Sequence, residues 1–268
     1  MEKQDRTALV ALPAVIAVGA LVALAGSQNG STVAGTPVFA LCVLLAFAVQ
    51  WVAFVPAYRL QTQRFFDLTG SLTYITIMVV AVALSADPDA RSWLLVGMVV
   101  VWAARLGSYL FSRIRKAGED KRFAGIKPSL PRFLITWTLQ GLWVTLTAAA
   151  ALAAVTGTER VGIGTVTAIG LLVWVAGFGL ETTADAQKSR FRADPANEGR
   201  FIRSGLWSWS RHPNYFGEIV LWLGVALVAL PVLRGWQWIT LVSPLFVAFL
   251  LLRVSGVPML EKSADGRW

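Results

Sequence analysis

The sequence predicts an all-α protein, a polytopic membrane helical bundle with about eight transmembrane helices. Three observations predict this class. First, 56% of the 268 residues are apolar and only 15% are charged, against about 45–50% and about 25% in soluble domains. Second, the chain contains eight apolar runs long enough to cross about 30 Å of hydrocarbon. Third, its basic residues are concentrated in alternate connecting loops, which is typical of membrane proteins.

The eight apolar runs nearly fill the chain and predict a single membrane domain over residues 1–268. Their bounds are 7–25, 37–56, 67–86, 92–112, 132–155, 162–184, 214–231 and 236–253. The first run has the charged start and the small residues of a signal peptide, but we expect it to remain as a membrane span.

The distribution of Lys and Arg predicts the orientation. Twenty of the 24 basic residues fall at the chain ends and in the loops that an eight-span topology places on one side. The other side carries only Arg91, Arg160 and Arg234, while Arg105 lies within the fourth span. Because cytoplasmic loops are the basic ones, we expect an inner-membrane protein with both termini in the cytoplasm. The net charge of +9 therefore belongs to these loops, and neither a nucleic-acid nor a protein partner is inferred.

Ionisable side chains inside membrane spans are energetically expensive and face the bundle interior or a hydrated cavity. Those within or beside the spans are Asp67, Arg105, Glu181, Asp185, Glu218 and His212. An interhelical salt bridge would explain any one of them, whereas their clustering toward the basic side favours a binding site. With one His and one Cys in the chain, no zinc or iron site is expected.

The end of the sixth span carries the most informative polar pattern. An i, i+4, i+7, i+11 spacing places four side chains on one helix face: Glu181, Asp185, Lys188 and Arg192. In one interpretation Lys188 pairs with Asp185 as a structural ion pair. In the other, the two acids accept hydrogen bonds from ribose or carboxamide groups, and Arg192 meets a phosphate. Asp194 and Pro195 should then end the helix.

The start of the seventh span predicts an anion site. Pro213 suits a first helical turn, where its missing N–H would be unpaired in any case. The free backbone N–H groups of that turn lie next in sequence to Arg203 and Arg211.

Other polar residues near this start and in the fourth span share helix faces. Asn214 and Glu218 are one turn apart and can point into the same pocket, and Arg105 and Tyr109 have the same spacing. His212 either caps the seventh span or contacts a ligand.

Three segments of the chain together resemble the steroid 5α-reductase-like membrane family, and more closely its uncharacterised bacterial branch. They are residues 181–192, 205–224 (GLWSWSRHPNYFGEIVLWLG) and 251–262 (LLRVSGVPMLEK). Arg-His-Pro-x-Tyr is shared with sterol C14 reductases and isoprenylcysteine carboxyl methyltransferases. The upstream Glu-x3-Asp-x2-Lys-x3-Arg makes the combination more specific. The resemblance covers about 57–261, so residues 1–36 look like an additional span and loop before a seven-helix core.

The resemblance implies a reductase that uses NADPH to reduce an activated C=C bond in a steroid-like or other lipophilic enone, with membrane lipid around it. It also implies cofactor contacts at Arg105, Tyr109, Glu181, Asp185, Arg192, Asn214, Glu218 and Arg253. Beside the resemblance, we expect further cofactor contacts at Lys188, Arg203, Ser210, Arg211, His212 and Tyr215.

Two positions depart from the steroid reductase pattern. Trp102 stands where those enzymes carry a catalytic tyrosine, and Asp67 stands where they carry the acid of a Gln-Glu pair. A 3-oxo-steroid substrate is therefore not implied. Tyr74, two turns after Asp67, lies on about the same face and could supply the missing phenol. We expect a catalytic set of Asp67, Tyr74 and Trp102, unless Asp67 pairs with Arg64 or Arg105 as a structural bridge.

Two other functions stay open. A methyltransferase using S-adenosylmethionine would share Arg-His-Pro-x-Tyr, but such enzymes usually carry paired glutamates near the end, where this chain has Glu261 alone. A non-enzymatic lipid binder or transporter would explain the charges within the spans. It would not need an anion site, however, and no inverted repeat supports it.

Overall fold

The computed structural model describes residues 3–117 and 123–256, and within them eight helices are long and apolar enough to cross a membrane. The helices are α1 (Lys3–Gly26), α2 (Val38–Arg59), α3 (Phe66–Leu84), α4 (Ala90–Ala117), α5 (Leu130–Thr156), α6 (Thr165–Ala193), α7 (Pro213–Ala229) and α8 (Val242–Phe249). A 3-10 segment before α8 and a π turn after it complete a last span of Gly235–Val254. The predicted all-α class and its eight spans are confirmed. Residues 257–262 of the family-like segment, including Glu261, lie outside the described residues.

Local sequence signals explain where several helices begin and end. The Ser129 hydroxyl caps α5 by accepting a hydrogen bond from the backbone N–H of Arg132. Pro213 occupies the first turn of α7, as its sequence position predicts. α6 ends at Ala193, and the Asp194 side chain caps the short turn that follows. The predicted stop of the sixth span is therefore confirmed.

The chain forms two compact units. Unit 1 comprises Met1–Gly162 and Val232–Thr240, and unit 2 comprises Ile163–Pro231 and Leu241–Trp268. In unit 1, α5 packs against α1, α2, α3 and α4 and is buried along nearly its whole length. In unit 2, α6 packs against α7, and α7 packs against α8.

An aromatic cluster fills the interior of unit 1 between α2, α3 and α5. Its rings are Phe54, Phe66, Phe123, Phe133 and Trp137, all of them buried. The Phe66 ring meets Trp137 at 5.0 Å and Phe123 at 5.1 Å, both edge to face, which is the favoured geometry for aromatic pairs. Large rings therefore set the spacing of the helices in this part of the unit.

The loops predicted on the arginine-poor side meet at one end of unit 1. A hairpin of Thr32–Val33 and Thr36–Pro37, which the sequence pattern does not predict, connects α1 to α2. Its neighbour Ser31 donates its backbone N–H to the Thr156 carbonyl at 2.7 Å. The Ser31 hydroxyl accepts from the backbone N–H of Ala86 at 3.2 Å. The α1–α2, α3–α4 and α5–α6 connections are thus in contact, as expected for loops on one side of the membrane.

The three arginines of this end hold the loops together. Arg91 is 1% exposed and donates to the carbonyls of Val161 and Gly162 at 3.1 and 2.9 Å. Arg160 donates to the carbonyls of Asp87, Gly157 and Glu159. Arg234 forms a 3.0 Å salt bridge with Glu159. These three arginines, which lie on the side that otherwise lacks basic residues, therefore stabilise the loops.

Candidate functional site

α6 and α7 pack so closely that their backbones touch. Gly170 and Gly177 on α6, and Gly217 and Gly224 on α7, are each seven residues apart, so each pair lies on one helix face. A Cβ added at Gly217 would lie 2.5 Å from the backbone nitrogen of Glu181. A Cβ added at Gly177 would lie 2.7 Å from the carbonyl oxygen of Gly217. Small residues therefore permit this close helix contact, as is common in membrane proteins.

Two carboxylates are buried beside this contact. Glu181 and Asp185 are 2% and 4% exposed, and they lie one turn apart on α6. Asn214, on the first turn of α7, donates its amide Nδ2 to Asp185 Oδ1 at 3.2 Å. The Asn214 carbonyl oxygen Oδ1 is also buried and accepts no hydrogen bond within residues 3–117 and 123–256. Asp185 and Asn214, each predicted separately as a cofactor contact, thus bond to each other, and an acceptor is left for a further donor.

A short 3-10 turn, Gly205–Ser208, packs against the same stretch of α6. The indole Nε1 of Trp207 donates to the Ala184 carbonyl at 3.0 Å, and the backbone N–H of Leu206 donates to Gln187 Oε1 at the same distance. Lys188 Nζ lies 4.4 Å from the centre of the Trp207 ring, a cation–π contact. The turn therefore holds the Lys188 side chain of the predicted polar face.

The polar face changes from buried to exposed along α6 and into the following loop. Its first two acids are buried, Lys188 is half-buried and Arg192 is exposed. Three other predicted side chains of the loop are also exposed: Arg203, Ser210 and Arg211. A ligand that bound the buried acids and these cations would extend from the interior of unit 2 to its surface.

His212 does not cap α7. It occupies the N-cap position, but its side chain makes no capping hydrogen bond, so that alternative interpretation is wrong. Instead, its ring stacks on Tyr215, with centroids 5.4 Å apart and planes 13° apart. Glu218, one turn after Asn214, is half-buried, and Arg253 is exposed in the π turn Leu250–Val254.

The remaining predicted site residues lie in unit 1. Trp102 on α4 is 3% exposed, and Tyr74 on α3 meets it edge to face, with ring centroids 5.2 Å apart. Asp67 is half-buried in the first turn of α3, two turns before Tyr74. One turn after Trp102, Arg105 lies over the Tyr109 ring at 5.4 Å. The phenol that was expected to compensate for Trp102 therefore contacts it directly.

Sequence patterns missed several parts of this arrangement. The seven-residue glycine spacing in both α6 and α7 was a readable signal of close packing. The role of Trp207 had no such signal, because its partner is a backbone carbonyl distant in sequence. Two buried amides of unit 1 were also missed: Gln50 donates to Thr73 Oγ1 at 2.8 Å, and Gln140 donates to the Phe66 carbonyl at 3.1 Å. In the described part of the chain, no group of three or more His, Cys, Asp or Glu side chains is arranged to hold a metal ion.

Eight apolar helices of this length, with two carboxylates buried in unit 2, are typical of a multi-pass membrane protein. The chain belongs to the DUF1295 family, because the model of that family matches residues 53–268. The family is steroid 5α-reductase-like, and its description is 'protein of unknown function'. An uncharacterised protein of Schizosaccharomyces pombe is 28% identical over 190 residues, which cover 57% of this chain and 54% of that protein. The chain thus spans about half the length of this relative. No solved structure gives a significant match. Assignment to a bacterial branch of the family stays a prediction.

Proposed function

We propose that the protein is a membrane-embedded reductase that uses NADPH to reduce an activated C=C bond of a lipophilic enone. The observation that carries this proposal is the pair of buried carboxylates, Glu181 and Asp185, beside the half-buried Asn214, whose amide oxygen Oδ1 is buried. Ionisable side chains within a membrane span are rare and are typical of functional sites. The hydroxyl and amide groups of a nucleotide can donate hydrogen bonds to carboxylate and amide oxygens, and hydrogen bonds to a charged group are about twice as strong as neutral ones.

The residues of unit 2 fit this cofactor. An acceptor that is buried without a partner costs about 1–3 kcal/mol, so the Asn214 carbonyl oxygen favours a ligand that brings an N–H. A nicotinamide carboxamide has such a group. We propose that Glu181 and Asp185 accept from ribose hydroxyls and that the exposed cations bind phosphates. The remaining contacts proposed in unit 2 are Lys188, Arg192, Arg203, Ser210, Arg211, His212, Tyr215, Glu218 and Arg253. The resemblance also predicts cofactor contacts at Arg105 and Tyr109.

When bound, NADPH would supply a hydride to the β carbon of the enone. Negative charge would then develop on the carbonyl oxygen, which would take a proton from the donor beside it. The enol formed would become the saturated ketone as its α carbon gains a proton from water and its oxygen releases one. An O–H donor at the carbonyl stabilises that developing charge. We propose Tyr74 as this donor, because its ring is held against Trp102, whose indole N–H can donate a hydrogen bond but cannot release a proton at neutral pH. Asp67, on the same helix, would return the proton to Tyr74.

The proposed orientation places both termini and the basic loops in the cytoplasm of a cell whose inner membrane holds the protein. NADPH would then enter from the cytoplasm, where the exposed arginines of unit 2 lie. Cysteine accessibility tests this topology. A single added cysteine in loop 194–212 should react with a membrane-impermeant maleimide only after cells are opened, whereas one in loop 27–37 should react in intact spheroplasts.

The choice of cofactor is tested by calorimetry in detergent. We expect NADPH to bind at least about tenfold more tightly than NADH, a difference of about 1.4 kcal/mol. Arg192→Gln should reduce this preference, because its guanidinium is proposed to bind a phosphate. Arg190→Gln is the matched control, since it removes the same charge two residues away on another face of α6.

The same titration separates the alternatives. Tight binding of S-adenosylmethionine with no binding of NADPH would contradict the proposal and favour a methyltransferase. Binding of neither nucleotide, with lipid alone retained, would favour a lipid binder or transporter.

The role of Tyr74 is tested by its phenylalanine variant. Tyr74→Phe keeps the ring contact with Trp102 but removes the hydroxyl, so turnover of a 3-oxo-4-ene steroid or a long-chain enone should fall about 10²–10⁴-fold. The affinity for NADPH should not change. Asp67→Asn should lower turnover in the same assay. Full turnover in both variants would show that the proton comes from elsewhere.

A further inference from the structure

A cavity of about 300 Å³ lies in unit 1 where α3 begins and α4 ends. None of the residues proposed for the reductase lines it. Its lining residues are Arg64, Phe65, Phe111, Ile114 and Arg115. The candidate membrane spans on the two helices begin at Phe66 and end at Arg115. We therefore expect the cavity to lie where the hydrocarbon of the membrane gives way to the headgroup region, on the side predicted to be rich in arginine.

One wall of the cavity is apolar. The rings of Phe65 and Phe111 stack with centroids 6.1 Å apart and planes 25° apart, and Ile114 is buried beside them. Phe65 nevertheless remains 55% exposed, so an apolar surface faces outward at this depth. A soluble ion would gain nothing from such a wall, whereas the glycerol and first acyl carbons of a lipid would be removed from water by it.

The other wall is cationic. Arg64 and Arg115 are both exposed, and neither forms a salt bridge with an acid in residues 3–117 and 123–256. Arg115 is held over the Phe111 ring, with its guanidinium carbon 6.0 Å from the ring centre. Guanidinium groups bind phosphate oxygens through paired N–H donors, which a lysine cannot reproduce.

We propose that this cavity binds the headgroup of an anionic phospholipid. Arg64 and Arg115 bind its phosphate, and the Phe65, Phe111 and Ile114 wall takes the glycerol and the start of an acyl chain. Basic pockets at the ends of membrane helices recognise anionic lipids in this manner. The cavity volume lies at the lower end of the range for small-molecule sites, which suits a headgroup but not a whole lipid.

Native mass spectrometry of the full chain in detergent tests the proposal. Palmitoyl-oleoyl phosphatidylglycerol should be retained at least tenfold more than the phosphatidylcholine of the same acyl chains. The double variant Arg64→Gln, Arg115→Gln should lose this preference at least tenfold. Arg59→Gln with Arg113→Gln is the matched control, because it removes two exposed arginines from α2 and α4 that do not line the cavity. It should keep the preference.

Three results would overturn the proposal. The wild type could retain both lipids equally, the control could lose as much as the cavity variant, or millimolar inorganic phosphate could displace phosphatidylglycerol. The second would assign the effect to bulk charge and the third to a free phosphate site. If the glutamine variant does not fold, the double variant Arg64→Lys, Arg115→Lys provides the test in the same experiment. A loss of at least threefold is expected from this charge-conserving variant, and an unchanged preference would reject the site.

Discussion

The two units of the molecule bury polar groups in different ways. In unit 1, wide rings such as Phe133 and Trp137 separate the helices, and the buried amides of Gln50 and Gln140 bond to single partners between them. In unit 2, α6 and α7 touch through glycines, and the carboxylates of Glu181 and Asp185 lie directly beside that contact.

This difference shows what fixes the positions of the proposed site residues in each unit. When two backbones touch, the positions of neighbouring side chains follow from the register of the helices. In unit 2, that register sets the place of the proposed cofactor contacts. In unit 1, the positions of Tyr74 and Trp102 depend on how aromatic side chains pack. We therefore expect disturbance of the glycine contact to affect binding, and disturbance of the rings to affect stability first.

The largest effect is expected from the aromatic cluster of unit 1. Phe133→Ala removes a fully buried ring and should lower the free energy of unfolding by about 3–5 kcal/mol. Denaturant titration in detergent measures it. Leu139→Ala on the same helix is the control, because Leu139 is 37% exposed and should change stability by less than about 1 kcal/mol. Equal effects of the two variants would show that the cluster does not hold unit 1 together.

A smaller but more specific effect is expected at the glycine contact of unit 2. Gly177→Ala places a methyl group against the backbone of α7 and should cost about 1–3 kcal/mol. It should also weaken NADPH binding at least about threefold, because Glu181 lies one turn away on the same helix. Gly179→Ala is the control, since no atom apart from the nearby backbone of α6 itself lies within 4 Å of a Cβ at that position. Alanine there favours the helix, by up to about 1 kcal/mol.

The interpretation fails if both alanine variants bind NADPH as the wild type does. The positions of the carboxylates would then not depend on how closely α6 and α7 approach.

The smallest effect is expected at the turn that packs on α6. Trp207→Phe keeps an aromatic ring under Lys188 but removes the hydrogen bond to the Ala184 carbonyl, so it should cost about 1 kcal/mol. The melting temperature in detergent measures this loss. Trp209→Phe changes the same residue type two positions away, where the indole is 83% exposed, and should change stability by no more than about 0.5 kcal/mol. A larger loss at Trp209 would contradict the assigned role of Trp207.

The amino-acid sequence by itself determined the spans and their alternation. Hydrocarbon thickness requires about 20 apolar residues per helix, and that length is readable without any tertiary contact. The start of α7 at Pro213 and the end of α6 before Asp194 followed from local backbone chemistry in the same way. The face shared by Glu181 and Asp185 was also predictable, because it depends only on the helical repeat.

Only the tertiary structure decided which side chains meet. Three examples connect different helices or loops. Tyr74 contacts Trp102, Asn214 donates a hydrogen bond to Asp185, and buried Arg91 donates to the carbonyl of Val161. A periodic pattern states which face a side chain is on but not the register of that face against its neighbour. That register depends on how rings and glycines pack across the whole interface, because an interior is close-packed and each contact constrains the next.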